Sequence, residues 1–185
     1  MIGMGSYGVV YRAKLVDGHE VAIKRMGVVL KNERLLMYEY MKNRSLYDHL
    51  HVKDEGSSML NSWKMRIKIS LDASMGIKYL HNHTTISYIH RDIKSSTIYC
   101  DGLNVLTAKS DVYGFGVVLL ELLTGKRAIL KYVKDEITQS LSLVDVVVPA
   151  ILAQDLVKIL DPKVAPPNVN EAFTVELVAY IAIHV

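Results

Sequence analysis

Residues 90–116 read HRDIKSSTIYCDGLNVLTAKSDVYGFG. Asp92 stands two positions before Lys94, so a carboxylate able to accept or orient a hydroxyl proton neighbours a cation able to balance charge on a transferring group. HRDIK read alone is also compatible with a charged turn between helices, and the rest of the chain has to decide. Further along, SDVYGFGVVLLELLTGK (110–126) has Ser110 as a capping residue, an apolar body and Gly125 as a stop. That pattern predicts a buried helix, so a polar loop with reactive side chains leads into a core element.

The elements upstream are of another kind. Residues 7–15 and 20–24 are rich in β-branched side chains and are joined by VDGH, where Asp17-Gly18 is a strong hairpin signal. RLLMYEY (34–40) is a third apolar run, and together these predict a small antiparallel sheet. SWKMRIKISLDASMGIKYLH (62–81) alternates apolar residues as a strand would, but a strand that long is exceptional. The i, i+4 row Trp63, Ile67, Leu71, Met75 and a capping Ser62 predict a helix instead. Pro149 and Pro162 bracket a further short helix, AILAQDLVKIL, and Asn170 is the expected cap of a last one, NEAFTVELVAYIAIHV. Sheet first and helices afterwards predict an α+β fold with segregated layers.

Composition limits what such a fold can do. In 185 residues, half are hydrophobic and 22% charged, which suits one well-buried domain or two small lobes. The net charge of +3 is dispersed among acids, with no basic stripe of the kind that binds nucleic acid. The single cysteine, Cys100, excludes an internal disulfide framework, fits a reducing compartment and reads as a buried apolar residue. The longest apolar run, 112–123, contains Glu121 and is too short to span a bilayer, and glycines interrupt any signal-like start. The expectation is a cytoplasmic chain without a membrane span.

Three motifs line up along the chain. IGMGSYGVVYRAKL carries Gly3, Gly5, Gly8 and Val10 in G-x-G-x-x-G-x-V order, and such glycines let a hairpin main chain approach phosphates with its N–H groups. A dinucleotide-binding loop would open a helix, whereas this one runs into strand-like residues. VAIK (21–24) follows across the hairpin, where Lys24 can reach phosphates as a point charge. HRDIK comes third, and the three together supply groups suited to phosphoryl transfer.

These motifs, with ERLLMYEYMKNRSLYDHLH, HRDIKSS, NVLTAKSDVYGFGVVLLELLTGKRAI and VKILDPKVAPPNVNEAFTVELVAY, resemble successive stretches of the plant receptor-like serine/threonine protein kinases, Crinkly-related branch. The resemblance implies a two-lobed protein-kinase-like fold, with a small antiparallel β lobe (1–41) carrying the glycine loop and hinge, then a mainly helical lobe (42–185), both incomplete. It implies an ATP site formed by Ile2, Gly3, Gly5, Gly8, Val10, Ala22, Lys24, Glu39 and Met41, with Tyr40 also in the hinge and Tyr38 at the back of the pocket. It makes Asp92 and Lys94 catalytic and Asp111 the buried brace of the catalytic loop. ATP, Mg2+ and a protein substrate, or an intact receptor kinase as partner, follow from the family, whose place is the cytoplasmic side of the plasma membrane.

The family pattern is also broken. Only fourteen residues separate Lys24 from Glu39, where the family has a helix bearing the lysine's glutamate partner and another strand; Glu33 is the one acid there. Thr97 stands where the family has a magnesium-binding asparagine, and its hydroxyl is the expected, weaker magnesium ligand. The D-F-G strand, activation loop and A-P-E anchor are missing between CDG (100–102) and LNVLTAKSD, leaving Asp101 as a stray carboxylate, and both ends are cut. The expectation is a kinase impaired in catalysis, with a non-catalytic binding module or an unstable product as the alternative.

Overall fold

The computed structural model describes residues 1, 3–5, 8–26, 35–52, 60–82, 93–97, 108–134 and 137–185. They form two compact units, Met1–Lys42 and Asn43–Val185.

The first unit is an antiparallel sheet of β1 (Gly3–Gly5), β2 (Gly8–Lys14), β3 (Glu20–Met26) and β4 (Leu35–Glu39), ordered β1-β2-β3-β4. The β2–β3 turn falls on Asp17-Gly18 as the sequence predicts. Gly18 takes φ +91, and the Asp17 carboxylate accepts the His19 N–H at 3.0 Å. Val21 is buried, while β4 is exposed along its whole length.

The second unit is mainly helical: α1 (Leu46–His51), α2 (Trp63–Asn82) and α3 (Ala108–Thr124), a hairpin of β5 (Ile129–Lys134) and β6 (Ile137–Ser142), then α4 (Leu143–Leu152) and α5 (Val169–His184). α3 is the hub. Phe115, Leu119, Leu120 and Leu123 enter one apolar cluster with Trp63, Ile77, Leu143, Val147, Val175 and Ala179. Val118 and Leu122 enter a second with Leu46, Leu50 and Leu60. A helix that buries two faces has no room for the polar stripe of a surface helix, which explains its nearly continuous apolar run.

Several expected boundaries move. α3 starts at Ala108, two residues before the expected Ser110 cap. α2 is a helix, but the buried stripe is Trp63, Arg66, Ser70 and Ile77, with Ala73 partly buried beside it, whereas Leu71 and Met75 of the expected row are exposed. Pro149 does not bound a helix; it lies inside α4, which Ser142 caps through the Val144 N–H. An interior proline costs about 3 kcal/mol or more. Burial of Leu143, Val147 and Ile151 on one α4 face, at roughly 1.5–3 kcal/mol each, outweighs it. The last helix is capped by Asn168 rather than Asn170, in a capping box closed by Glu171. The β5–β6 hairpin was not expected at all.

One buried polar network fastens these elements. Arg66 donates through Nε to the Leu60 carbonyl (2.8 Å), through Nη1 to the Leu122 carbonyl (2.6 Å) and through Nη2 to Asp161 Oδ2 (2.6 Å). Both charged side chains are almost fully buried. Asp161 also accepts the Lys163 N–H, and its own N–H donates to the Leu123 carbonyl. Removing one member of such a pair leaves an uncompensated charge, so Asp161→Ala should lower the unfolding free energy by about 3–5 kcal/mol. Adding Arg66→Met to that variant should recover only part of the loss, because the Leu60 and Leu122 carbonyls then lose their donor. Urea denaturation of the four chains of this cycle checks both expectations.

Candidate functional site

Strand register alone gathers most of the expected nucleotide-contacting residues of the first unit. Side chains opposite one another in an antiparallel ladder share a face. Gly3 pairs with Val10 and Gly5 with Gly8; Val10 pairs with Lys24 and Arg12 with Ala22; Ala22 pairs with Tyr38 and Lys24 with Leu36. The positions of Gly3, Gly5, Gly8, Val10, Ala22, Lys24 and Tyr38 therefore lie on one face of the sheet. Lys24 is half-buried there.

The segment leaving β4 is held by a polar cluster at the end of that sheet. The Tyr40 N–H donates to the Glu20 carbonyl at 3.1 Å, which fixes the chain at Glu39–Met41. Arg12 donates through Nε to Glu20 Oε1 (3.1 Å) and lies over the Tyr40 ring, 4.4 Å from its centre. Lys42 sits 3.6 Å from the other Glu20 oxygen. The hydrogen bond from Arg12, helped by the two cations' charge, holds the Glu20 carboxyl below the usual carboxylate range. The same bond raises the Arg12 guanidinium above its ordinary value.

In the second unit, Ile93 through Thr97 follow the expected catalytic aspartate. Ile93 packs against both apolar clusters. A Cβ on Gly114 of α3 would lie 2.8 Å from the Ile93 carbonyl oxygen and 3.1 Å from its Cβ, so glycine is what lets the helix touch this main chain. Lys94 is exposed and Ser95 buried. The Thr97 hydroxyl accepts the Lys94 N–H (3.1 Å) and donates to the Lys94 carbonyl (2.9 Å). Asp111, in the first turn of α3, is fully buried. Ile2, Glu33, His90, Asp92, Cys100 and Asp101 lie outside the described residues.

Sequence reasoning passed over the Arg12–Glu20–Tyr40–Lys42 cluster. Its signal was present: with Asp17-Gly18 as the turn, the hairpin register brings Arg12 and Glu20 to neighbouring positions on one face.

Comparison with known proteins gives this geometry its class. The sequence model for "Protein tyrosine and serine/threonine kinase" matches residues 18–103. The fold matches the crystal structure of the maize sucrose-induced receptor kinase 1 kinase domain, bound to AMP-PNP, with a TM-score of 0.75. That match is 23% identical and covers 98% of this chain and 84% of the other. The fold is that of a protein kinase, a small antiparallel sheet followed by a mainly helical unit.

Among curated relatives, the kinase-like protein CCR3 of Arabidopsis thaliana is 43% identical over 270 residues, taking in 99% of this chain and 33% of that protein. The serine/threonine-protein kinase-like protein CCR4 of the same plant is 34% identical, with 98% of this chain and 35% of that protein covered. Phytosulfokine receptor 1, also from Arabidopsis thaliana, is 35% identical over 70% of this chain and 20% of its own length. The chain belongs to the plant receptor-like protein kinases, on their Crinkly-related branch. It spans about a third of the length of the CCR relatives. Of the 270 positions aligned with CCR3, at least 85 have no counterpart in a 185-residue chain.

Two measurements probe the geometry. Arg12→Ala should return the Glu20 titration, followed by NMR, to the ordinary carboxylate range. Because the folded value is depressed, the stabilisation from this pair is present above that range and lost as pH falls through the folded value. Gly114→Ala should cost about 1–3 kcal/mol in urea denaturation, since a main-chain oxygen has to give way.

Proposed function

We propose that this chain is a serine/threonine-type protein kinase domain that retains the nucleotide-binding half of its site and has lost most of the transfer half. The observation that carries the first part is the strand register: glycine-loop positions, Val10, Ala22 and Lys24 share one sheet face. In this reading the glycine main chain, with Ile2, encloses the ATP phosphates, Lys24 contributes charge to them, and the main chain of Glu39–Met41 meets adenine. Asp92 orients the hydroxyl of a protein substrate, and Lys94 balances charge on the phosphoryl group.

The transfer half is poorer. Magnesium, when bound in kinases, neutralises phosphate charge. The residues described here do not suit it: Thr97 is a neutral hydroxyl already bonded twice to Lys94, and among the described residues no three His, Cys, Asp or Glu side chains converge. In this reading Lys24 contributes charge to the phosphates without a metal ion beside it. The aligned positions without counterpart support the reading that the blocks around D-F-G and between Lys24 and the hinge are missing. Removing one preorganised charge-stabilising group from a transition state costs on the order of 10²–10³ in rate. The costs of several such removals need not multiply.

Among the described residues no helix is long and apolar enough to cross a membrane. By likeness to receptor kinases, the chain acts on the cytoplasmic side of the plasma membrane. Its partner there is a protein substrate or an intact receptor kinase.

Titration with a fluorescent ATP analogue should give weak binding that changes little when magnesium is removed, and Lys24→Ala should weaken it further. Labelled-phosphate transfer to a generic Ser/Thr substrate should be undetectable. Restoring the two internal blocks together with Thr97→Asn should bring transfer back, and Asp92→Ala in that repaired chain should abolish it. Transfer by the unrepaired chain that Asp92→Ala stops would overturn the proposal.

A further inference from the structure

β4 is the outermost strand of its sheet among the described residues, and Leu35 through Glu39 are all exposed, on both faces. The main-chain groups it offers follow from its pairing with β3. The Tyr40 N–H donates to the Glu20 carbonyl, which makes Glu20–Tyr40 a hydrogen-bonded pair. Such pairs alternate with non-bonded ones along an antiparallel ladder. With Ala22 opposite Tyr38 and Lys24 opposite Leu36, the N–H and C=O groups of Tyr38 and Leu36 turn towards β3. Those of Leu35, Met37 and Glu39 turn to the open edge.

We propose that this edge is a self-association site, at which two copies of the chain join by antiparallel pairing of Leu35–Glu39 about a two-fold axis at Met37. A row of open main-chain donors and acceptors is matched along its whole length by another strand. β4 lacks the devices that blunt natural edges, having no proline, no lysine and no glycine.

The strand is complementary to itself. Centred on Met37, the pairing sets Leu35 against Glu39 of the second copy, Met37 against Met37 and Glu39 against Leu35. Every outward-facing residue then meets an outward-facing one, whereas a slip of one residue sets outward against inward groups. On the opposite face, Leu36 meets Tyr38 of the second copy in the non-bonded relation that brings side chains closest.

Charge favours the same alignment. Arg25 lies opposite Leu35 at one end of the sheet, and Glu39 lies opposite Val21 at the other. The two-fold places Glu39 of each copy in the same row as Leu35 and Arg25 of the other, so acidic ends meet basic ends. A parallel alignment would bring like ends together. The two-fold contact closes on itself, so it predicts a discrete dimer and not a fibre.

Self-association goes beyond the nucleotide reading and is tested by mass alone. Both readings use the Glu39 main chain, so association is measured without nucleotide. Sedimentation velocity of the full chain at micromolar concentrations should show a reversible monomer–dimer equilibrium. Met37→Pro removes an outward N–H without touching the β3 ladder, and should raise the dimer dissociation constant roughly tenfold or more. Met37→Lys, which brings two like charges together at the axis, should do the same and serves if the proline variant fails to fold. Phe173→Lys, on the exposed surface of α5, should leave the dimer intact. A monomer at every concentration would overturn the proposal. So would an open-ended aggregate, a dimer untouched by both Met37 variants, or one dissolved by Phe173→Lys alone.

Discussion

The guanidinium of Arg66 is placed where α3 ends in apolar surroundings, and much of the second unit depends on that. The last four carbonyls of any helix lack partners within it. Here the Glu121 carbonyl takes the Gly125 N–H, the Leu122 carbonyl takes Arg66, and the Leu123 carbonyl takes the Asp161 N–H. A cation at this end also opposes the partial negative charge of the helix dipole. Asp161 in turn neutralises Arg66 and lies so close over Gly125 that a Cβ there would collide with its carboxylate. Gly125, at φ +63, is thus glycine for two reasons, its left-handed main chain and the space above it. One buried ion pair lets an apolar helix stop inside a core, and joins α2 to the segment that leads into α5.

The same end of α3 carries a second buried polar pair. Glu121 Oε1 lies 3.0 Å from His51 Nε2 and accepts the Ala128 N–H at 3.1 Å. It therefore ties α1 to α3 and to the start of the β5–β6 hairpin. Tyr47 meets the His51 ring edge-on, and Arg127 lies over Tyr47. A two-stranded hairpin is marginal in isolation; this one is anchored at its base by Glu121 and by the Leu143 N–H donating to the Ala128 carbonyl. Among the described residues, buried polar interactions that join separate elements concentrate near the C-terminal end of α3, and apolar packing occupies its middle.

Elements whose signals are local were legible in the sequence. Asp17-Gly18 placed the β2–β3 turn, and length favoured a helix over a strand at α2 against its misleading alternation. The buried face of α2 was not legible, because Arg66 faces inward for partners distant in sequence and the buried Ser70 hydroxyl bonds back to the Arg66 carbonyl, and no period announces that. Pro149 misled for a related reason: the apolar row Leu143, Val147, Ile151 outweighs a local rule about proline. The Asn168 cap was missed by reading the nearer asparagine, although Asn168-x-x-Glu171 is the stronger capping pattern. That Val10, Ala22 and Lys24 share one sheet face was legible because period-two register follows from the turn. The surroundings of Lys94 and Thr97 were not, since they rest on packing against α3.

That packing separates the frame of the site from its charges. Ile93 is held by steric fit against Gly114 and by two apolar clusters, and Thr97 closes a local turn through the Lys94 main chain. Both the steric fit and the turn are made among residues 93–97 and α3. Packing of this kind persists when the groups that carry chemistry change, because side-chain charge at an exposed position such as Lys94 adds little to the fold. Taking a carboxylate or amide ligand out of such a loop removes transition-state stabilisation without removing the loop's anchor. The frame of such a loop and the groups that carry its chemistry are therefore separable, because steric fit and apolar burial hold the first while placed charge makes up the second.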